Sequence, residues 1–235
     1  MKFMDYICDC CELITVELLD RIEEAKAHCE SLGVGVYSDE LATHILKRKP
    51  LRPYVERARI ISSIKNVDFV FKVNDENNIV VNNEEFYNNN TSPKKYKIGY
   101  APGTYDLLHQ GHLEHLSESA SQCEILVVGI NDDELVYSYK HKNPYMPTKI
   151  RAEIISKLRI VDAVFIANTL ERGAANEWII QKFGHPIDAV FIGSDWMNRD
   201  LHNPENFKII FTDRDPEKMK TRSSTYYRDQ ISKLS

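Results

Sequence analysis

Two histidines, His109 and His112, stand three residues apart with Gly111 between them, inside the run Gly103-Thr104-Tyr105-Asp106-Leu107-Leu108-His109-Gln110-Gly111-His112. Imidazoles donate hydrogen bonds to phosphate oxygens, and a glycine beside them leaves room for a nucleotide. Gly103 follows Lys97–Ala101, which reads as a short strand, and so can bring the backbone close to a phosphate. The histidine pair then sits at the entrance of the next helix, where exposed N–H groups and the positive dipole end make an anion site. Spacing alone leaves two other readings, ordinary surface histidines or a metal pair. No Glu or third ligand stands nearby in a recognisable metal pattern. The strand–Gly–Thr–x–Asp context favours phosphate. His115, one turn further on, reads as an ordinary helix residue.

The elements around this segment alternate. Leu113–Ala120 reads as a helix, Glu124–Ile130 as a buried strand, Thr148–Leu158 as a helix with Ile150, Ile154, Ile155 and Leu158 on one face. Val161–Ile166, Ile187–Ile192 and Phe207–Phe211 read as strands and Ala174–Phe183 as a helix, with Ser223 capping a closing helix to Leu234. This order predicts an α/β fold, a parallel sheet covered by helices on both faces. In such folds ligands bind at the carboxyl ends of the strands, where Gly103 and the histidines fall.

The chain also holds a blurred copy of this unit. A shift of 94 residues, without gaps, lays Glu24–Phe71 over Glu118–Phe165 with 20 identities in 48 positions, where composition alone gives about three. In that register Thr15 stands opposite His109, Glu17 opposite Gly111 and Leu18 opposite His112. Scaffold positions such as Arg57, Val67 and Asp68 persist while the site residues do not. The copy is truncated, since nothing in 72–95 resembles 188–235. Residues 1–73 are therefore expected to be a degenerate, non-catalytic repeat, 74–95 an Asn-rich linker, and 96–235 the catalytic domain.

Composition narrows the partners. A chain of 235 residues with 43% hydrophobic and 28% charged residues has an ordinary globular mix. Its net charge of −5 argues against a broad nucleic-acid face, so any polyanion it handles should be small. No run approaches the roughly 18 apolar residues of a membrane span, and no basic-then-apolar signal opens the chain, so a cytoplasmic location is expected. The odd count of five cysteines, Cys8, Cys10, Cys11, Cys29 and Cys123, reads as free thiols.

Gly103–Leu116, GTYDLLHQGHLEHL, resembles the HxGH signature of the cytidylyltransferase family, whose wider superfamily includes adenylyltransferases. Four further stretches are similar to family motifs. Asn131–Leu135 with Lys140 resembles an acidic turn and substrate-side lysine, and Arg151–Val164 the helix and VDxV strand. Gly193-Ser194-Asp195-Trp196 is similar to the GDDW segment of the glycerol-3-phosphate branch, and Ser223–Arg228 to the end of the last motif. The resemblance implies a Rossmann-like fold and transfer of CMP from CTP to a phosphorylated small molecule, releasing pyrophosphate, with Mg²⁺ riding on the triphosphate. It implies His109, His112 and Lys140 as catalytic, and Gly103, Thr104, Tyr105, Asp106, Gly111, Asp195, Arg222, Ser223, Ser224 and Thr225 as nucleotide-binding. Lys140, Lys142 and Trp196 fall to the acceptor. The chain departs from the last motif at Lys218-Met219 and Thr221-Arg222, leaving Lys218, Lys220 or Arg222 to supply its cation. The resemblance also implies a homodimer, or a pseudo-dimer in which residues 1–73 stand in for a partner subunit. An adenylyltransferase and a non-catalytic nucleotide-binding partner are the competing functions.

Overall fold

A computed structural model of the chain describes residues 4–81, 93–198, 201, 203–213, 217 and 220–234. The chain divides into two compact units, one holding the described residues up to 81 together with 229–234, the other those from 93 to 228. Of the expected linker, Asn74–Val81 carries one turn, in which Asn78 N–H donates to the Asp75 carbonyl, and Asn88–Ser92 lie outside the described residues.

The second unit runs β4 (Tyr96–Gly103), α4 (Gln110–Gln122), β5 (Cys123–Asn131), α5 (Asp133–Lys140), α6 (Thr148–Ser156), β6 (Ala163–Ala167), α7 (Gly173–Phe183), β7 (Ala189–Gly193) and β8 (Ile209–Thr212), then α8 (Ser224–Ser232), whose last residues belong to the first unit. Its five strands pair in parallel in the order β6-β5-β4-β7-β8. From the central β4 the chain winds outward on one side, then crosses to build the other. The crevice above the carboxyl ends of β4 and its neighbours is the topological switch point at which such sheets bind ligands. The apolar run Leu126-Val127-Val128 is buried in β5, as a strand covered on both faces requires. Ile98, Val127 and Val190 of the sheet pack with Ala175 and Ile179 of α7 in one core cluster. On α6, Ile154 and Ile155 are buried, while Ile150 at the edge of the same face is half-buried.

Two boundaries that bear on the site differ from the sequence reading. Helix α4 begins at Gln110, three residues before Leu113, so that His112 lies inside it. The acidic turn at Asn131–Leu135 is the start of a helix, because the Asp132 carboxylate caps α5 by accepting from Leu135 N–H at 2.7 Å.

The first unit runs β1 (Met4–Asp9), α1 (Val16–Ala27), β2 (Ser31–Tyr37), α2 (Asp39–Leu46), α3 (Tyr54–Ser62) and β3 (Phe69–Val73), with a parallel sheet ordered β1-β2-β3. It repeats the β4-to-β6 half of the second unit down to single hydrogen bonds. Buried Arg57 donates to the carbonyls of Arg52 and Cys10 and to the Asp39 carboxylate. Buried Arg151 donates to the carbonyls of Met146 and Thr104 and to Asp133, the same places 94 residues on. Asp68 accepts from Leu32 N–H and Asp162 from Leu126 N–H, both at 2.7 Å. Cys11 and Tyr105, also a matched pair, both hold a left-handed turn at φ 54° and 52°. All five cysteines are free thiols, and burial pushes those of Cys8, Cys10 and Cys11 above the ordinary range. No helix among the described residues is long and apolar enough to cross a membrane.

Candidate active site

Above the carboxyl ends of β4, β5 and β7 lies a cavity of about 340 Å³ within the second unit. Of the residues singled out in the sequence, Gly103, Thr104, Tyr105, His109, His112, Lys140, Asp195, Trp196, Ser223, Ser224 and Thr225 line it. Asp106, Gly111, Lys142 and Arg222 do not.

The histidine end is built on the start of α4. His109 occupies the N-cap position in extended backbone, so its ring stands at the mouth of the helix beside the amide ends. His112, one turn in, stacks on it with ring centroids 3.7 Å apart. Both are buried, at 3% and 8% exposure, which restricts their rotamers before any ligand arrives. Tyr105 packs against His112 at 5.2 Å and anchors its hydroxyl on the Ala101 carbonyl. Ser224 donates to the Asp106 carbonyl at 2.7 Å and lies 3.4 Å from His109 Nε2, tying the entry of α8 to the histidine loop. Ser223 caps α8, accepting from Tyr226 N–H at 3.3 Å.

Lys140, the last residue of α5, also lines the cavity. Its ammonium donates to Thr104 Oγ1 at 2.9 Å, and that hydroxyl lies 3.1 Å from the Tyr139 hydroxyl, which also accepts from Asn131 Nδ2. The Lys140 side chain is open to solvent, but its charged end sits among protein atoms. Desolvation there lowers its pKa below an ordinary lysine's, with Asp106 opposing and Arg228 reinforcing the shift. Trp196 meets the Tyr139 ring edge-on at 5.8 Å beside Asp195, forming an aromatic flank.

Arg151 ties α5 to the β4 loop. Fully buried, it donates to the Thr104 and Asn131 carbonyls and to Asp133 at distances of 2.6 to 2.9 Å. Burial would raise the Asp133 pKa, but the bonds from Arg151 and Thr148 outweigh it and hold the carboxyl below its usual value.

The four remaining residues do other things. The Asp106 carboxylate is buried and accepts from the backbone N–H of Tyr145 and Met146, with Arg228 Nε 3.4 Å away. It clamps the loop before α6 and does not face the cavity. A Cβ at Gly111 would press on the His109 ring and the Arg222 carbonyl, each within about 3.2 Å. Glycine there makes room for the protein's own packing before any nucleotide. Lys142 is exposed outside the cavity, and Arg222 lies 3.7 Å from Glu114. Lys220 pairs with Glu217 on the surface, and Lys218 lies outside the described residues.

Several lining residues were not read as site residues in the sequence: His115, Asn131, Tyr139 and Arg172 among them. His115 is not an ordinary helix residue, since it is 5% exposed and its Nδ1 lies 2.6 Å from Thr212 Oγ1. Its signal was present as the last of three histidines spaced three apart, at 109, 112 and 115. Tyr139 and Arg172 carry no such signal, because only the fold brings them to the cavity.

The parallel sheet, the switch-point cavity and the stacked histidines at a helix mouth define a nucleotide-type site, and a family model described as cytidylyltransferase-like matches residues 100–230. The chain belongs to the cytidylyltransferase-like family, within the HxGH nucleotidyltransferase superfamily. It is 36% identical over 102 residues to a FAD synthase of Thermococcus onnurineus (strain NA1), covering 43% of this chain and 64% of that protein. It is 35% identical over 104 residues to the bifunctional protein HldE of Hyphomonas neptunium (strain ATCC 15444), covering 42% of this chain and 21% of that protein. The chain thus spans less than two thirds of the length of these relatives. A solved structure titled as a lipopolysaccharide core biosynthesis protein from Thermoplasma volcanium GSS1 matches at 22% identity and a TM-score of 0.39, covering 51% of this chain and 96% of that one.

Proposed function

We propose that the chain transfers a nucleoside monophosphate from an NTP to a phosphorylated small molecule. A phosphate oxygen of the acceptor attacks the α-phosphorus in line, the bond from that phosphorus to the bridging oxygen breaks, and pyrophosphate leaves. The observation that carries this reading is one cavity lined both by His109 and His112 at a helix mouth and by Lys140. Phosphoryl chemistry of this kind needs positioning and charge stabilisation and no covalent enzyme intermediate. His109 and His112 donate to the oxygens of the leaving triphosphate portion, and Lys140 neutralises acceptor and α-phosphate. Mg²⁺ enters with the nucleotide as part of the substrate.

The donor is read as CTP and the acceptor as a polyol phosphate or phosphoamino acid, from the similarity of Gly193–Trp196 to the glycerol-3-phosphate branch. The product would be an activated precursor for a surface glycan or lipid, made in the cytoplasm. ATP is the second reading, favoured by the relative named as a FAD synthase, since FAD contains an adenine nucleotide. The first unit is read as a duplicated scaffold that lost its site, supported by Thr15 and Leu18 at the histidine positions and by the repeated arginine bonds.

Pyrophosphate release, measured with CTP and ATP against a panel of phosphorylated acceptors, tests the reading. Release with CTP supports the first form and release with ATP alone the second. Nucleotide binding without release from any NTP makes the chain a binding partner and overturns the transfer reading.

The lowered pKa of Lys140 gives a pH dependence. As pH rises through that value the ammonium loses its proton and the acceptor loses its counter-charge. The alkaline limb of kcat/KM should therefore fall below the ordinary lysine range of about 10.4. In Lys140→Arg the limb should move upward, because guanidinium keeps its charge; an unmoved limb would assign it to another group.

A further inference from the structure

The stretch that joins Lys140 to α6 has a counterpart in the first unit, and the two are closed in different ways. Both open on a left-handed residue, His141 at φ 53° and Lys47 at φ 56°. In both a carboxylate then grips the backbone. Asp106 accepts from Tyr145 and Met146 N–H at 2.8 and 2.9 Å, and Glu12, the matching residue, from Leu51 N–H at 2.6 Å. A buried arginine holds the far end in both, Arg151 on the Met146 carbonyl and Arg57 on the Arg52 carbonyl.

The cation that answers the carboxylate is not the same. In the first unit it is Arg48, inside the stretch itself, donating to both oxygens of Glu12 at 2.7 and 2.6 Å. Lys142 stands at that place in the second unit and is exposed. There the cation comes from α8: Arg228 Nε lies 3.4 Å from the Asp106 carboxylate, and Nη2 donates to the Asn143 carbonyl. Ser224, one turn earlier, donates to the Asp106 carbonyl at 2.7 Å and lines the cavity beside Ser223 and Thr225. One turn of α8 thus holds Asp106 by its carbonyl and by its carboxylate. A stretch closed by its own arginine is set whatever α8 does, whereas one closed by Arg228 is set only while that turn is seated.

We propose that Arg228 is a positioning residue, the link through which a nucleotide seated on Ser223–Thr225 steadies the stretch after Lys140 and with it the lysine. This rests on the nucleotidyl-transfer reading for the identity of the ligand. A ligand shifts such an element only by binding one arrangement better than the other, and the seated turn of α8 is the arrangement that presents all three residues to the cavity. Arg228 also acts on Lys140 by charge. Desolvation is the largest influence on that ammonium; Asp106 and Asp195 oppose it, while Arg228 and Arg151 reinforce it. Taking away the Arg228 charge therefore raises the pKa of Lys140, an effect that a mere brace of the fold would not have.

The test follows amide hydrogen exchange at Tyr145 and Met146 in the full chain, with and without CTP or ATP and Mg²⁺, and with no acceptor present. In the wild type, nucleotide should slow exchange at these two amides by roughly fivefold or more. In Arg228→Gln they should exchange faster and no longer respond to nucleotide, while the amides of Leu126–Val128 in β5 keep wild-type protection. The Lys140 ammonium, followed by NMR, should titrate at higher pH in that variant. If Arg228→Gln fails to fold, Arg228→Lys keeps the charge and should loosen the two amides without moving the titration. Adding Lys142→Arg to Arg228→Gln supplies the first unit's closure, and should restore protection that no longer depends on nucleotide. Where pyrophosphate release is seen, Arg228→Gln should raise the acceptor KM more than it lowers kcat. A nucleotide that binds the wild type without slowing these amides, or a folded Arg228→Gln with wild-type exchange, overturns the proposal. Protection that follows nucleotide and Arg228 as described, with no release from any NTP, would sink the transfer reading alone. A chain that binds neither nucleotide overturns both.

Discussion

His112→Ala should lower kcat by about 10²–10³-fold, a loss of roughly 3–4 kcal/mol of transition-state stabilisation. The ring is 8% exposed, stacked on His109 at 3.7 Å and packed against Tyr105, so its orientation is set before substrate binds. A donor held this way meets developing charge without reorganising, and that is why its removal weighs on kcat more than on KM. The fold should survive, because the ring lines an open cavity and its loss leaves no sealed void. Steady-state kinetics with a thermal melt of the same sample check both halves. A variant with wild-type kcat would remove His112 from the chemistry.

Arg151→Met should destabilise the chain by about 3–5 kcal/mol. The guanidinium is fully buried and donates to the carbonyls of Met146, Thr104 and Asn131 as well as to Asp133 and Thr148. Methionine fills the volume but leaves three carbonyls without that donor. The carboxylate matters less, since the Asp133 side chain is 43% exposed and can return to water. Arg151→Lys should recover little, because one ammonium cannot span the same set of acceptors. Denaturant unfolding measures the loss. A fall of less than about 1 kcal/mol would mean the β4 loop and the α6 entry hold themselves in place.

The scaffold was legible where its cause is local. Val127-Val128 declares a buried strand and Ile154-Ile155 a helix face by pattern alone, and both are buried as read. The histidine segment declared its place between a strand end and a helix start because the three are contiguous in sequence. What escaped depends on contacts between distant residues. Asp106 looks like a ligand in sequence, yet its partners are N–H groups 39 and 40 residues away. His115 looks like filler until Thr212, 97 residues on, meets it. Tyr139 gives no sign in the sequence, and only the turn of α5 brings its hydroxyl to Thr104 and Asn131. The start of α5 itself was misread as a turn because Asp-Asp-Glu suits both, and the cap at Asp132 decides between them.

The two helix mouths bear on how such a site is lost. In the first unit Thr15 caps α1 with its own hydroxyl, accepting from Leu18 N–H at 3.2 Å, whereas His109 at the matching place makes no side-chain cap bond to α4. A threonine cap is worth about 0.5–2 kcal/mol over a residue that cannot cap. If the repeat descends from a working copy, exchanging its first histidine for threonine was a gain in stability at the moment it was a loss of chemistry. Return would require surrendering the cap before any activity came back. On that descent the loss of the first histidine would carry its own stabilisation, and the cap would resist its return.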